Sequence, residues 1–86
     1  MRFAYVYFMK EQPERIQGVA PEHAGYWRGL ALPGYLGGPF GDRSGGLILF
    51  EADSIDQAER FASKDPFIRE DVLQSHRVKE WRPDDP

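Results

Sequence analysis

Two segments of this chain are apolar on both faces of the strand that each would form. In RFAYVYFM, residues 2–9, aromatic side chains alternate with further apolar side chains, and LILFEA, residues 47–52, has a similar character. β-Branched and aromatic residues favour strands. A sheet built on these two strands would therefore have two apolar faces, and each of them has to pack against another surface.

The helices are predicted from their end signals. Pro21 suits the first position of a helix, so the first helix is predicted to start there and to stop before Pro33-Gly34. Ser54 opens a capping box that closes at Gln57, and it predicts a second helix. Asp65, followed by proline, predicts a short third helix with Asp65 as its N-cap.

Two more strands complete the pattern, a glycine-broken one at residues 35–40 and a last one at residues 75–81. The order is then β-α-β-β-α-β, which is the ferredoxin-like pattern of an α+β fold with a four-stranded antiparallel sheet. The helices of this fold cover one face of the sheet only. The uncovered apolar face predicts a homodimer formed through the sheet, which would also compensate for the small core of an 86-residue chain. Residues 1–82 are predicted to be a single domain, and residues 83–86 a polar tail.

Composition excludes several classes of function. The net charge is −3 and the 11 basic residues are scattered, which argues against a nucleic-acid partner. No apolar run approaches about 18 residues, so no membrane association is expected and the chain is predicted to be cytoplasmic. With no cysteine, and with no second histidine at ligand spacing from His76, no metal site is expected. His76 is interpreted as a surface or dimer-face residue.

The glycine-rich stretch YLGGPFGDRSGGLILF, residues 35–50, does not match a nucleotide-binding loop. A phosphate-binding loop of the Walker type needs a lysine after its last glycine, and a dinucleotide fingerprint needs a helix directly after its glycines. Neither is present. The stretch is predicted to be a hairpin, in which the glycines allow positive φ or a close approach to the backbone.

His23 is the first candidate for chemistry. If Pro21 begins the helix, His23 lies at its N-terminal end, where the helix dipole disfavours the imidazolium form and favours a neutral general base. The competing interpretation is a buried structural histidine, which spacing alone favours. Asp65 has a sufficient explanation as a helix cap, but it could also orient a histidine ring. Sequence spacing does not decide whether these two residues meet.

Four segments in this order resemble the YCII-related family of the dimeric α/β-barrel superfamily: PEHAGYW at 21–27, GGPFGD at 37–42, GGLILFEADSIDQAERF at 45–61 and KDPF at 64–67. The resemblance spans residues 2–81. It implies a sheet-mediated dimer with a pocket between helix and sheet, and it implies that His23 and Asp65 form the catalytic pair. The residues expected to bind a substrate are Tyr7, Trp27, Gly38, Pro39, Phe40, Arg43 and Phe67.

The resemblance also implies a class of chemistry. One branch of the family removes chloride from a chlorinated hydroxyhydroquinone, and the superfamily includes muconolactone isomerases. We therefore expect a cofactor-free lyase or isomerase, with a dehydrochlorinase among the candidates, that acts on a small cyclic or aromatic compound. The alternative is a non-catalytic module of the same fold that binds a small ligand or assists another protein. Many relatives carry an arginine where this chain has Ala20, so a substrate anion would need another cation, such as Arg43 or Arg28.

Overall fold

A computed structural model describes residues 1–84 of the chain. Its elements follow one another as β1 (Arg2–Met9), α1 (Pro13–Gly29), β2 (Leu36–Pro39), β3 (Gly45–Glu51), α2 (Ile55–Ser63), α3 (Pro66–Arg69) and β4 (Leu73–Glu80). The strands form one antiparallel sheet in the order β2-β3-β1-β4. The predicted α+β, ferredoxin-like class is confirmed. Of the predicted tail, residues 85 and 86 lie outside the described residues.

The first helix starts earlier than predicted. It begins at Pro13 and runs through Pro21, which lies in its interior and not at its first position. Proline has no backbone N–H, so the Gln17 carbonyl lacks its usual helical donor at this point. Ile16 and Val19 on the preceding turns pack against the core. Burial of this apolar stripe explains why the helix continues through a residue that usually interrupts one.

The first helix also ends earlier than the predicted stop before Pro33-Gly34. The helix ends at Gly29. Ala31 follows with a φ of 49°, in the left-handed region where many helices terminate.

The predicted starts of the other two helices agree with the structure. The Ser54 hydroxyl accepts a hydrogen bond from the Gln57 backbone N–H at 3.1 Å, and the Asp65 carboxylate accepts one from the Phe67 N–H at 2.9 Å.

The two faces of the sheet have different surroundings. The face that carries the helices holds the aromatic core, in which Phe3, Tyr5, Tyr7, Ile48 and Phe50 are buried together with Trp27 and Phe67. The other face is open, and its apolar side chains on the three strands β1, β2 and β3 are those of Ala4, Val6, Phe8, Leu36, Leu47 and Leu49. Charged residues lie at the margins of this face, Arg2 and Glu51 at one end and Arg77 and Lys79 on β4. No helix in residues 1–84 is long and apolar enough to cross a membrane.

Candidate active site

Asp65 is the centre of a buried polar cluster. Its side chain has no solvent exposure, yet four donors reach its two oxygens. Oδ1 accepts from the His23 ring at 2.7 Å and from the Phe67 backbone N–H at 2.9 Å. Oδ2 accepts from the Tyr5 hydroxyl at 2.9 Å and from the Trp27 indole N–H at 3.2 Å. An ionised carboxylate is an acceptor only, so four donors match its lone pairs and offset much of the cost of burying it.

His23 connects this cluster to α1. Its Nδ1 contacts Asp65, its Nε2 lies 3.3 Å from the Tyr7 hydroxyl, and its ring stacks on Phe67 with centroids 4.0 Å apart. The side chain is 12% exposed. Because the carboxylate can only accept, we assign the ring proton to Nδ1, which leaves the lone pair of the neutral imidazole on Nε2.

The position of His23 in α1 corrects one premise of the sequence argument. The residue lies ten positions after Pro13, well inside the helix, and not in its first turn. The helix-dipole argument for a neutral ring is therefore wrong, since the dipole acts mainly within the terminal turn. The orientation of the ring comes instead from the carboxylate of Asp65, 42 residues further along the chain.

The tyrosines around the cluster keep their protons. Burial, followed by the nearby Asp65 carboxylate, raises the pKa of Tyr7 from 10.0 to about 12. The same causes, in the same order, raise the pKa of Tyr5, and its hydrogen bond to Asp65 adds to the effect. Both hydroxyls therefore remain hydrogen-bond donors throughout the neutral range.

Three of the predicted substrate-binding residues lie within the cluster. Tyr7 and Phe67 contact the His23 ring, and Trp27 donates to Asp65. Trp27 itself is completely buried, so its place is in the supporting core.

The four other predicted substrate-binding residues lie on β2 and in the hairpin loop. Pro39 shares a row with Gly46 and Tyr7 on the helix-bearing face, because each is the register partner of the next. Gly38 is the partner of Leu47 on the open face. The Phe40 ring packs against Phe8, 5.9 Å between centroids, and so lies on the face of the sheet opposite to His23.

Arg43 lines a different surface cavity. This cavity, of about 960 Å³, lies between β1, the start of α1 and the hairpin loop, and neither His23 nor Asp65 lines it. Arg28, the other cation considered for a substrate anion, is exposed on α1. Within one chain, neither Phe40 nor Arg43, both expected to bind a substrate, therefore lies beside His23.

His76 is exposed, as expected of a surface residue, but it does not belong to the open face. It pairs with Tyr7 in the register of β1 and β4, so it lies on the helix-bearing face. There it lines a cavity of about 420 Å³ between α2 and β4.

Among the residues that the structure describes, no three histidine, aspartate or glutamate side chains gather where they could hold a metal ion.

Sequence reasoning missed two participants. Tyr5 donates to Asp65 and belongs to the polar cluster, but its alternation with other aromatics fits an ordinary core position equally well. Gly46 adjoins the Tyr7 hydroxyl, and a side chain there would overlap it. Gly46 is predicted to lie in the hairpin before the strand at residues 47–52, whereas β3 begins at Gly45. A glycine inside a strand often marks a close approach, so the misplaced strand start hid this signal.

Comparison with known proteins agrees with this architecture. The sequence model of the YCII-related domain matches residues 1–82. The fold is similar to that of 5-chloro-2-hydroxyhydroquinone dehydrochlorinase from Burkholderia phenoliruptrix AC1100, solved in complex with 2,5-dihydroxybenzoquinone. The TM-score is 0.81 at 22% sequence identity, over 95% of this chain and 94% of that one. No curated protein matches the sequence.

Proposed function

Because the chain belongs to the YCII-related family, we propose that it is a cofactor-independent enzyme of the lyase or isomerase type, acting on a small cyclic or aromatic compound. The observation that carries the proposal is the hydrogen bond of 2.7 Å between His23 Nδ1 and the buried carboxylate of Asp65. A carboxylate at Nδ1 fixes the tautomer that leaves the lone pair on the opposite nitrogen, and its negative charge stabilises the imidazolium that forms when this nitrogen takes a proton.

The proposed reaction begins with a proton transfer to His23. Nε2 takes a proton from the substrate, and the electron pair of the broken bond stays on the substrate ring. In an isomerisation, the imidazolium returns the proton to another atom of the ring. In a dehydrochlorination, the electron pair forms a new double bond, chloride leaves, and the imidazolium then releases its proton to water. The negative charge of Asp65 stabilises the imidazolium during either sequence, and the stacked Phe67 ring limits its rotation.

The structural neighbour supports the substrate class. Its name describes the removal of chloride from a hydroquinone, and its bound ligand is a dihydroxyquinone. We extend from it only the general class, a small oxygen-bearing ring, since a likeness at 22% identity carries the fold and not the specificity.

We propose that the active form is a homodimer that buries the open face of the sheet. Leu36 is 70% exposed and Phe8 is 42% exposed on this face, although both are large apolar side chains. A second copy is the occupant that we propose, because two identical faces of this kind are complementary in chemistry and a two-fold axis would bury both at once.

A second candidate function is a binding or accessory module without catalysis. Two observations favour it: Nε2 of His23 already has a hydrogen-bond neighbour in Tyr7, and Asp65 also caps α3. In this case the cluster would serve stability alone, and its loss would unfold the domain without any change in chemistry.

The test combines a compound screen with a matched pair of histidine variants. Small aromatic acids, lactones and halogenated quinols are screened by thermal shift and then by turnover. For a compound that is turned over, His23→Gln is expected to lower the rate by about a hundredfold or more, because general acid–base catalysis is lost. His76→Gln, which alters the second histidine of the chain, is expected to retain the rate.

The outcomes separate the two candidates. Retention of turnover in His23→Gln, with the dimer folded by circular dichroism, would exclude the proposed mechanism. If compounds raise the melting temperature but none is converted, the binding module is the better description. Asp65→Asn gives an independent check. The amide NH2 group would replace one acceptor oxygen and would face a hydrogen-bond donor, so the variant should lose both activity and free energy of unfolding.

A further inference from the structure

The Tyr7 hydroxyl occupies a notch that exists only because residue 46 is glycine. Tyr7 and Gly46 are direct partners across β1 and β3. A Cβ at Gly46 would lie 2.5 Å from Cζ of Tyr7 and would overlap the hydroxyl oxygen, and it would also lie 2.8 Å from the Gly38 carbonyl oxygen of β2. Real Cβ atoms do not come this close, so any larger residue would displace the tyrosine. Gly46 is buried, and a strand interior is a costly place for a glycine without such a reason.

The notch places the hydroxyl beside the one ring nitrogen that Asp65 does not hold. Tyr7 Oη lies 3.3 Å from His23 Nε2, and the two rings meet edge to face with centroids 5.4 Å apart. Since Nδ1 carries the proton, Nε2 is an acceptor and the hydroxyl is the donor. The tyrosine keeps its proton at neutral pH, as its raised pKa requires.

We propose that Tyr7 is a positioning residue for His23, and that Gly46 serves the site by making room for its hydroxyl. The carboxylate accepts a hydrogen bond from Nδ1, and the hydroxyl donates one to the lone pair of Nε2, so the two contacts together set the direction of that lone pair. Together with the stacked Phe67 ring, these contacts fix the imidazole on three sides. The contact of 3.3 Å is longer than the one of 2.7 Å at Nδ1, so a donor group of a ligand can replace the hydroxyl at small cost.

This inference deepens the proposed function and rests on it for its catalytic meaning, but its test needs no substrate. The chain contains two histidines, so long-range ¹H–¹⁵N spectra of the imidazole nitrogens can be assigned with His76→Gln. Spectra are recorded at about pH 9, above the ordinary titration range of histidine. In the natural protein we expect Nδ1 at the position of a protonated nitrogen and Nε2 at that of a hydrogen-bonded acceptor.

Two variants remove the contact by different routes. Tyr7→Phe deletes the hydroxyl and keeps the ring, and Gly46→Ala keeps the hydroxyl but fills its notch. In both, the Nε2 resonance should move downfield, toward the position of a nitrogen without a hydrogen bond, while Nδ1 stays protonated. The controls are Tyr35→Phe, which removes another hydroxyl near β2, and Gly41→Ala, at a glycine with open space around it. Neither control should move the Nε2 resonance.

Two results would overturn the proposal. One is an Nε2 resonance that Tyr7→Phe leaves in place. The other is a natural protein in which Nε2 carries the proton, because the hydroxyl would then accept and not donate. If Gly46→Ala does not fold, Tyr7→Phe decides alone. A failed spectroscopic test leaves the His23→Gln activity test standing, and a failed activity test leaves the tyrosine contact standing.

Discussion

Asp65 stabilises the fold and organises the candidate site with the same two oxygens. Its carboxylate caps α3 through the Phe67 N–H, and it also orients His23 and accepts from Tyr5. A buried charge of this kind persists only when its partners are complete. The residues that give Asp65 its partners come from β1, α1 and α3, so the geometry of the site depends on how these three elements pack.

The buried tyrosines predict a loss of stability at high pH. Tyr7 holds its proton to about pH 12 in the folded chain but to 10.0 when unfolded, so the folded state binds more protons between these values. Stability is complete below pH 10 and falls as pH rises. Tyr7 should lower the free energy of unfolding by about 1.4 kcal/mol for each pH unit in that interval. Urea unfolding at a series of pH values measures this slope.

Tyr7→Phe tests the origin of the slope. The variant should lose stability less steeply between pH 10 and about 12 than the natural protein. Part of the slope remains, because burial also raises the pKa of Tyr5. Equal slopes for the two proteins would show that Tyr7 titrates normally in the folded chain.

At the scale of elements, α1 carries His23 and also has a proline in its interior. Pro21 interrupts its hydrogen bonding two residues before the histidine. The helix nevertheless keeps its apolar side against the core: Ile16 packs on the core cluster, and Trp27 stacks on Tyr5 of the sheet. Packing has therefore outweighed a local preference, as it does in most protein helices.

Pro21→Ala is expected to stabilise the protein. Alanine restores the missing donor to the Gln17 carbonyl and is the best helix former, so the free energy of unfolding should rise by about 1 kcal/mol or more. Pro13→Ala is the matched control, because a proline at the first helical position lacks no hydrogen bond and should change stability little. Chemical denaturation compares the two, and a Pro21→Ala variant less stable than the Pro13→Ala variant would contradict the argument.

At the scale of the molecule, the sheet has one covered face and one open face. A domain of 86 residues buries a modest core, and here the apolar side chains of three strands remain outside it. Leu49 lies in the middle of this open face, with Ala4 on one side and Leu36 on the other. Association through this face would remove these apolar side chains from water.

Leu49→Lys is expected to convert the proposed dimer to a monomer. Two copies of an uncompensated ammonium would be buried at the interface, while in the monomer the lysine can reach water along its own stem. Light scattering after size exclusion should give about twice the chain mass of 9.9 kDa for the natural protein and a single chain mass for the variant. Ile55→Lys, at an exposed apolar residue of α2, should remain a dimer. A natural protein that is monomeric would refute the proposed interface.

The sequence by itself determined the features that depend on residues close to one another along the chain. Alternating apolar residues gave β1 and β3, and end signals at Ser54 and Asp65 gave the starts of α2 and α3. The order of these elements was enough for the α+β class, because few architectures accommodate it. Successive side chains of a strand point to opposite faces, and residues 3–9 are all apolar or aromatic, so the apolar character of both faces of β1 also follows from the sequence.

Contacts between distant residues were decided only by the tertiary structure. His23 and Asp65 are 42 residues apart, and no spacing rule relates them, since their contact depends on α1 packing against α3. The start of α1 was mispredicted because proline acts locally whereas burial of the helix does not. The separation of Phe40 from His23 likewise follows from strand register, which pairs residues across the sheet. Local physics thus specified the elements, and packing alone assembled the site.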